Sequence, residues 1–155
     1  MDEVILQLMN ITIDVARKAR ENGNHPFGAI LVDEQNTILM TVENTVITEN
    51  DCTCHAETNL VRQASRKYTR DFLSKCTLYA STEPCPMCAG AIFWSNIGRL
   101  VFGLSQNRFY EMVGEVNTES LRLSCQEVFA TGNKSIKVIG PVLEEEALIP
   151  HLNFW

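Results

Sequence analysis

No stretch of this chain runs apolar for the roughly 20 residues a membrane-spanning helix needs, so a helical membrane protein is excluded. The basic run that opens a secretory leader is also missing. Asp2 and Glu3 follow Met1, and a cytoplasmic protein is expected. Basic charge is scarce throughout, with 13 Lys and Arg against 19 Asp and Glu, a formal net charge of −6. A protein built to hold a phosphate backbone usually shows a basic face, so the balance argues against a nucleic-acid partner and for a small molecule. Repeats, low-complexity tracts and linkers are absent, and 155 residues suffice for one core. A single domain over residues 1–155 is expected.

What is present reads as an ordinary soluble chain, 45% hydrophobic and 21% charged, with strands and helices in alternation. Ile5, Leu8, Met9, Thr12, Val15, Ala16 and Ala19 recur at three- and four-residue intervals, the stripe of an amphipathic helix from Val4 to Ala19. Phe27 to Val32 and Thr37 to Val42 read as a hairpin around Asp33-Glu34-Gln35-Asn36. A loop from Asn44 to Cys54 leads to a helix from His55 to Lys67. A buried strand from Cys76 to Ser81 precedes a helix opened by Pro84 and running to about Asn96. Arg99 to Leu104 is a further strand, Asn117 to Ala130 a further helix, and Ile136 to Ile139 the last strand before an acidic segment from Leu143 to Leu148. This order implies an α/β sandwich with helices on both faces of one sheet, mixed because the hairpin opens it.

Six cysteines stand at 52, 54, 76, 85, 88 and 125. With no export signal, reduced thiols are a better reading than a disulfide framework. Two fragments carry the chemistry: His55-Ala56-Glu57, and Pro84-Cys85-Pro86-Met87-Cys88 thirty residues on from the histidine. A catalytic zinc commonly takes three protein ligands and keeps a fourth position for water. His55, Cys85 and Cys88 fill three. Cysteines at i and i+3 project from one face of a first helical turn, and a helix N-terminus favours thiolate over thiol. Glu57, two residues beyond His55, is placed to lean over a water rather than to ligate, and a carboxylate there can move protons. Two blander readings remain at this point: a redox dithiol, and a structural zinc site built from Cys52, Cys54, Cys85 and Cys88.

The pattern His-x-Glu followed by Pro-Cys-x-x-Cys resembles the zinc-dependent nucleobase deaminases. The likeness extends to Pro26-Phe27-Gly28-Ala29, Asn44, Asn50-Asp51 and Glu83-Pro84-Cys85-Pro86-Met87-Cys88-Ala89-Gly90-Ala91-Ile92. These segments are similar to the guanine deaminase and tRNA adenosine deaminase branch of the cytidine deaminase-like superfamily, over roughly residues 5 to 105. The resemblance implies a three-layer α/β/α sandwich around a five-stranded mixed sheet, one Zn2+ per chain and a homodimer. It implies hydrolytic exchange of a ring amine for a carbonyl, with Glu57 carrying the protons and ammonia leaving. It gives Asn44 the role of a side-chain amide on the base, Ala56 that of a backbone N–H on the ring's polar edge, and Glu83 that of a carbonyl receiving the leaving amine. Phe27 and Trp94 match aromatic positions flanking the base, against their alternative as core residues.

Departures from that pattern bear on the substrate. The loop before His55 reads Asp51-Cys52-Thr53-Cys54, where the branch usually has Asp-Pro-Thr-Ala. The two extra thiols either compete for the metal, pair reversibly, or fill space. After Leu104, guanine deaminases carry an acidic residue that reads the ring; Glu111 and Glu115 are the candidates, each also readable as part of a solvated helix face. Glu144-Glu145-Glu146 is acidic where the tRNA branch tends to be basic. Phe154 and Trp155 end the chain, either as a lid over the site or as a docked tail. The expected substrate is a free purine, guanine going to xanthine, ahead of guanosine, cytosine or a related amino-substituted ring, and of the tRNA wobble adenosine. A zinc-stapled interaction module without catalysis is the reading of another class.

Overall fold

A computed structural model describes residues 2–114 and 119–155. Its elements in chain order are α1 (Glu3–Glu21), β1 (Gly28–Val32), β2 (Ile38–Glu43), α2 (Val46–Glu49), α3 (Ala56–Lys67), α4 (Arg70–Leu73), β3 (Thr77–Thr82), α5 (Pro86–Ser95), β4 (Arg99–Leu104), α6 (Gln106–Val113), α7 (Cys125–Ala130), β5 (Lys137–Ile139) and α8 (Glu144–Leu148), closed by a 3-10 turn over Ile149–His151. The five strands form one sheet in the order β2-β1-β3-β4-β5. β1 runs antiparallel to both β2 and β3, whereas β3, β4 and β5 are mutually parallel. The sheet is therefore mixed, as the opening hairpin implied.

Side chains alternate across the sheet and separate two cores. Ala29, Leu31, Leu78, Ala80, Leu100 and Phe102 face α3, α5 and α7, where Leu60, Ala64, Ile92 and Phe129 meet them. Ile30, Val32, Tyr79 and Val101 face α1, α6 and α8, against Leu8, Met9, Ile13, Phe109 and Ala147. Every residue of β1 and β3 is buried; β1 therefore reads as an unbroken apolar run and not as alternation, while β3 carries Thr77, Ser81 and Thr82 into the interior. Gly28 lets α1 lie against the first strand: a Cβ there would stand 2.6 Å from the Ala16 backbone nitrogen.

Several elements differ from the sequence reading. The loop from Asn44 to Cys54 contains α2, whose first amides are tied by buried Asn24, its Oδ1 accepting from Ile47 and Thr48 at 3.1 and 3.0 Å. The short α4 was not expected, nor was α6, capped by Ser105 accepting from the Arg108 N–H. The long helix expected over 117–130 is helical only from Cys125 among the described residues. Ser124 halts it as an N-cap, its hydroxyl accepting from the Glu127 N–H and donating to the Glu127 carboxylate. The helix expected from Pro84 begins two residues later, with Pro86 at its first position and Cys85 at the cap.

Candidate metal and substrate site

Parallel strands deliver their following helices to one edge of the sheet, and the site forms where α3 and α5 begin. His55 is the N-cap of α3 and Cys85 the N-cap of α5. Elsewhere Asp2, Thr69, Ser105 and Ser124 use their side chains to accept a first-turn N–H. At the site the two cap side chains turn towards each other, joined by Cys88 on the first turn of α5.

The resulting triangle fits zinc. His55 Nδ1 lies 3.6 Å from Cys85 Sγ and 3.5 Å from Cys88 Sγ, and all three donor atoms fall within 4.8 Å of one another. Tetrahedral zinc with bonds of about 2.3 Å to sulfur and about 2.0–2.1 Å to nitrogen requires an S···N edge of about 3.6 Å. A redox dithiol would have no use for the imidazole. The four-cysteine alternative is not assembled: Cys54 is buried against Glu49 and Cys52 is exposed, both free thiols, and neither joins the group formed by His55, Cys85 and Cys88.

The electrostatics of this corner follow from burial and mutual contact. Bonding from Cys88 and from His55 holds the Cys85 thiol well below its ordinary value, while the Cys85 sulfur and burial raise Cys88. The Thr58 hydroxyl lies 3.2 Å from Cys88 Sγ, a partner for that sulfur which the motif did not announce. The Cys85 contact raises His55 despite its burial. Glu57 is 5% exposed. Burial pushes its carboxyl up to about 7, against the pull of nearby His55, so it can both take and give a proton near neutrality.

The other sequence-nominated residues divide. Asn44 is 1% exposed; its Oδ1 accepts from the Val46 N–H at 3.0 Å and its backbone N–H donates to the Phe27 carbonyl at 3.1 Å. Buried Asn59 ties that loop to the histidine's approach, its Nδ2 donating to the carbonyls of Glu43 and Cys54 and to the Thr45 hydroxyl. Ala56 is fully buried at the first position of α3. Phe27 meets Phe109, His151 and Trp155 at ring separations of 5.8, 5.1 and 6.0 Å. Trp94 is not brought to the ligands. It is 75% exposed and edge-on to Phe93, nine residues along α5 from Cys85, or about 14 Å at 1.5 Å per residue. Within one chain that distance separates it from a ring seated beside Cys85. Glu111 is exposed on α6, as the solvated-face reading held, and Glu115 lies outside the described residues.

Sequence reasoning named Phe27, Phe154 and Trp155 but missed Arg20, His25 and His151, which tie them together. The Arg20 guanidinium donates to the carbonyls of Pro150 and Leu152 at 2.9 and 2.6 Å and lies over the Phe154 ring, so the carboxyl end is held against α1. Trp155 then stands 5.2 Å from the His25 ring and donates its Nε1–H to His151 Nδ1 at 3.1 Å. Because indole only donates, His151 Nδ1 is an acceptor, and its other nitrogen faces the Thr82 hydroxyl at 3.3 Å. Burial pushes His151 down to about 3. Burial also lowers His25, with a further push from His55, which sets His25 in the electrostatic reach of the metal corner.

Three thiolate and imidazole ligands beside a buried carboxyl define a zinc hydrolase site, and comparison with known proteins narrows the class. Residues 2–104 match the model of the cytidine and deoxycytidylate deaminase zinc-binding region. The chain belongs to this zinc-dependent deaminase family. A probable cytosine deaminase of Schizosaccharomyces pombe is 42% identical over 156 aligned positions, covering 100% of this chain and 94% of that protein. A tRNA-specific adenosine deaminase of Bacillus subtilis is 35% identical, covering 89% and 80%. Among solved structures, guanine deaminase from Bacillus subtilis matches with a TM-score of 0.63 at 26% identity, covering 87% of this chain and 98% of that one. The five-stranded mixed sheet with helices on both faces is the architecture expected of the family, and zinc is its cofactor.

Proposed function

We propose that the chain hydrolyses the amino group of a free nucleobase, with cytosine as first substrate and guanine as second. The observation that carries the reading is the ligand triangle with the buried Glu57 carboxyl beside it. Zinc held there supplies Lewis acidity that brings the pKa of a water towards about 7. Glu57 takes a proton from the attacking water and passes it to the ring nitrogen beside the amine-bearing carbon. It then carries the second proton to the departing amine. One water is consumed, the C–N bond breaks, ammonia leaves, and a ring carbonyl remains.

The Asn44 amide and the Ala56 N–H supply donors for the ring's polar edge, and the Glu83 carbonyl accepts from the leaving amine. Phe27 and Trp155 form the apolar wall, so that the chain's last residues close over the ring. Cytosine takes precedence over the guanine that the motifs suggested because the likeness to a probable cytosine deaminase runs the whole chain. Guanine stays second on the likeness to the Bacillus guanine deaminase. A tRNA substrate is disfavoured: Glu144 and Glu145 serve the protein itself, bonding the Ser105 N–H and pairing with Arg108, and the segment brings no basic surface. The test is ammonia release by the zinc-loaded protein from cytosine, guanine, cytidine, guanosine and a tRNA anticodon stem. Cytosine is expected to turn over fastest. Release from none of them overturns the enzyme reading.

A further inference from the structure

Glu83 enters the proposed chemistry only through its carbonyl, yet its carboxylate makes the more unusual contacts. Oε1 accepts from the Gln106 N–H at 3.0 Å and Oε2 from the Cys125 N–H at 3.1 Å. These amides open α6 and α7, so one side chain spans two helix starts that lie 23 and 42 residues away from it. Gln106 returns the contact. Its buried amide donates to the Pro84 carbonyl at 3.1 Å and to the Leu123 carbonyl at 2.9 Å, and the Glu83 N–H donates to Leu104. A carboxylate has only acceptors, and bonds to an ionised acceptor are about twice as strong as neutral ones. Nothing of α6 or α7 touches the metal ligands through these bonds. They reach Cys85 only through the two residues that precede it.

The starts of α6 and α7 thus converge on the dipeptide leading into Cys85. We infer that the Glu83 carboxylate is a positioning residue, setting the Cys85 sulfur and the Glu83 carbonyl in register with the first turns of α6 and α7, so that metal geometry and base binding are adjusted through one side chain. The inference rests on the zinc-deaminase reading of the site. It differs from a fold-stabilising role in what it moves. A carboxylate that merely satisfied two amides would affect unfolding alone, whereas one that sets the Cys85 loop also changes the ligand field at the metal and the KM for the base.

The test uses cobalt(II) in place of zinc, because visible cobalt bands report ligand type and geometry. Glu83→Gln keeps the size of the side chain but turns an amide NH2 towards one of the two N–H groups. It is expected to bind one cobalt per chain with shifted thiolate and ligand-field bands. Its KM for the preferred base should rise, and kcat/KM should fall by about 10- to 100-fold, the range of one lost bond to a charged group. Gln106→Met keeps the backbone bond to Glu83 and removes only the side-chain donor, so it should shift the same bands less and raise KM less. Wild-type cobalt bands and wild-type KM in folded Glu83→Gln overturn the inference. Should that variant not fold, Glu83→Asp, which keeps the charge but is too short to span both amides, decides in its place: unshifted bands overturn the inference and shifted bands support it. Because the cobalt spectrum needs no substrate, a wild type that releases no ammonia defeats the function while the spectrum still decides this point.

Discussion

Two histidines stand on the two walls proposed for the site, and their surroundings shift them in opposite directions. His55 is raised by its contact with Cys85, whereas His151, fixed between Thr82 and the Trp155 N–H, is driven down to about 3 by burial. One wall is made of ionisable groups at helix N-termini, turned towards one another. The other is made of rings, with its histidine kept neutral by burial and the Arg20 guanidinium turned to backbone carbonyls. Proton chemistry and ring packing are thereby kept on separate elements, α3 and α5 against the amino end of β1 and the last turn of the chain.

If that division is right, damage to the first wall should remove activity and damage to the second should alter affinity and acid stability. The largest effect is expected from Cys88→Ser or from zinc removal by a chelator. Several kcal/mol of transition-state stabilisation go with the metal, so ammonia release should fall by about 10³-fold or more, and zinc added back should restore it in the chelated wild type alone. Thr58→Val removes the hydroxyl beside Cys88 Sγ. Zinc affinity measured by competition with a chromophoric chelator should drop by about 10- to 100-fold, the usual cost of a lost outer-sphere partner. Trp155→Ala belongs to the other wall. It should leave zinc content unchanged and raise KM about tenfold, the equivalent of about 1.4 kcal/mol of ring contact; an unchanged KM would detach the tail from substrate binding.

The last effect is one of pH, and it falls on stability and not on rate. His151 stays neutral in the folded protein down to about 3, while an unfolded histidine protonates near 6.5. Between those values the unfolded chain binds more protons, so stability falls as pH falls, at up to about 1.4 kcal/mol per pH unit from this residue. Above about pH 6.5 the residue adds no slope. His151→Asn cannot titrate, and urea unfolding at pH 5 and pH 7 should show a smaller difference for it than for wild type. Equal differences would mean that the ring is protonated in place.

The first wall was legible in the sequence, whereas of the second only Phe27, Phe154 and Trp155 were, without the contacts that join them, for a physical reason. Metal ligation imposes local spacing, so His55 with Glu57 and Cys85 with Cys88 announce themselves within a few residues. Regular amphipathic or buried runs were equally plain, as with α1, the hairpin and β4, whose bounds Arg99–Leu104 match the expectation. The aromatic wall depends on contacts between distant positions: Arg20 holds Pro150, and Phe27 meets Trp155. No local pattern carries these. The same applies to the Glu83 carboxylate, whose partners begin helices far along the chain. The break at Ser124 is legible in the Ser-x-x-Glu spacing of Ser124 and Glu127, a cap signal that the apolar periodicity from 117 runs through. Trp94 was assigned by resemblance alone, and its place at the far end of α5 answers to sequence position and not to proximity within the chain.

The central claim is that Glu57 moves protons without holding the metal. It is tested most directly by measuring zinc content and ammonia release together in Glu57→Gln. The account predicts one zinc per chain and a rate lowered by about 10²- to 10⁴-fold, the span typical of a lost general acid–base group. A variant that keeps its zinc and releases ammonia at the wild-type rate would contradict it.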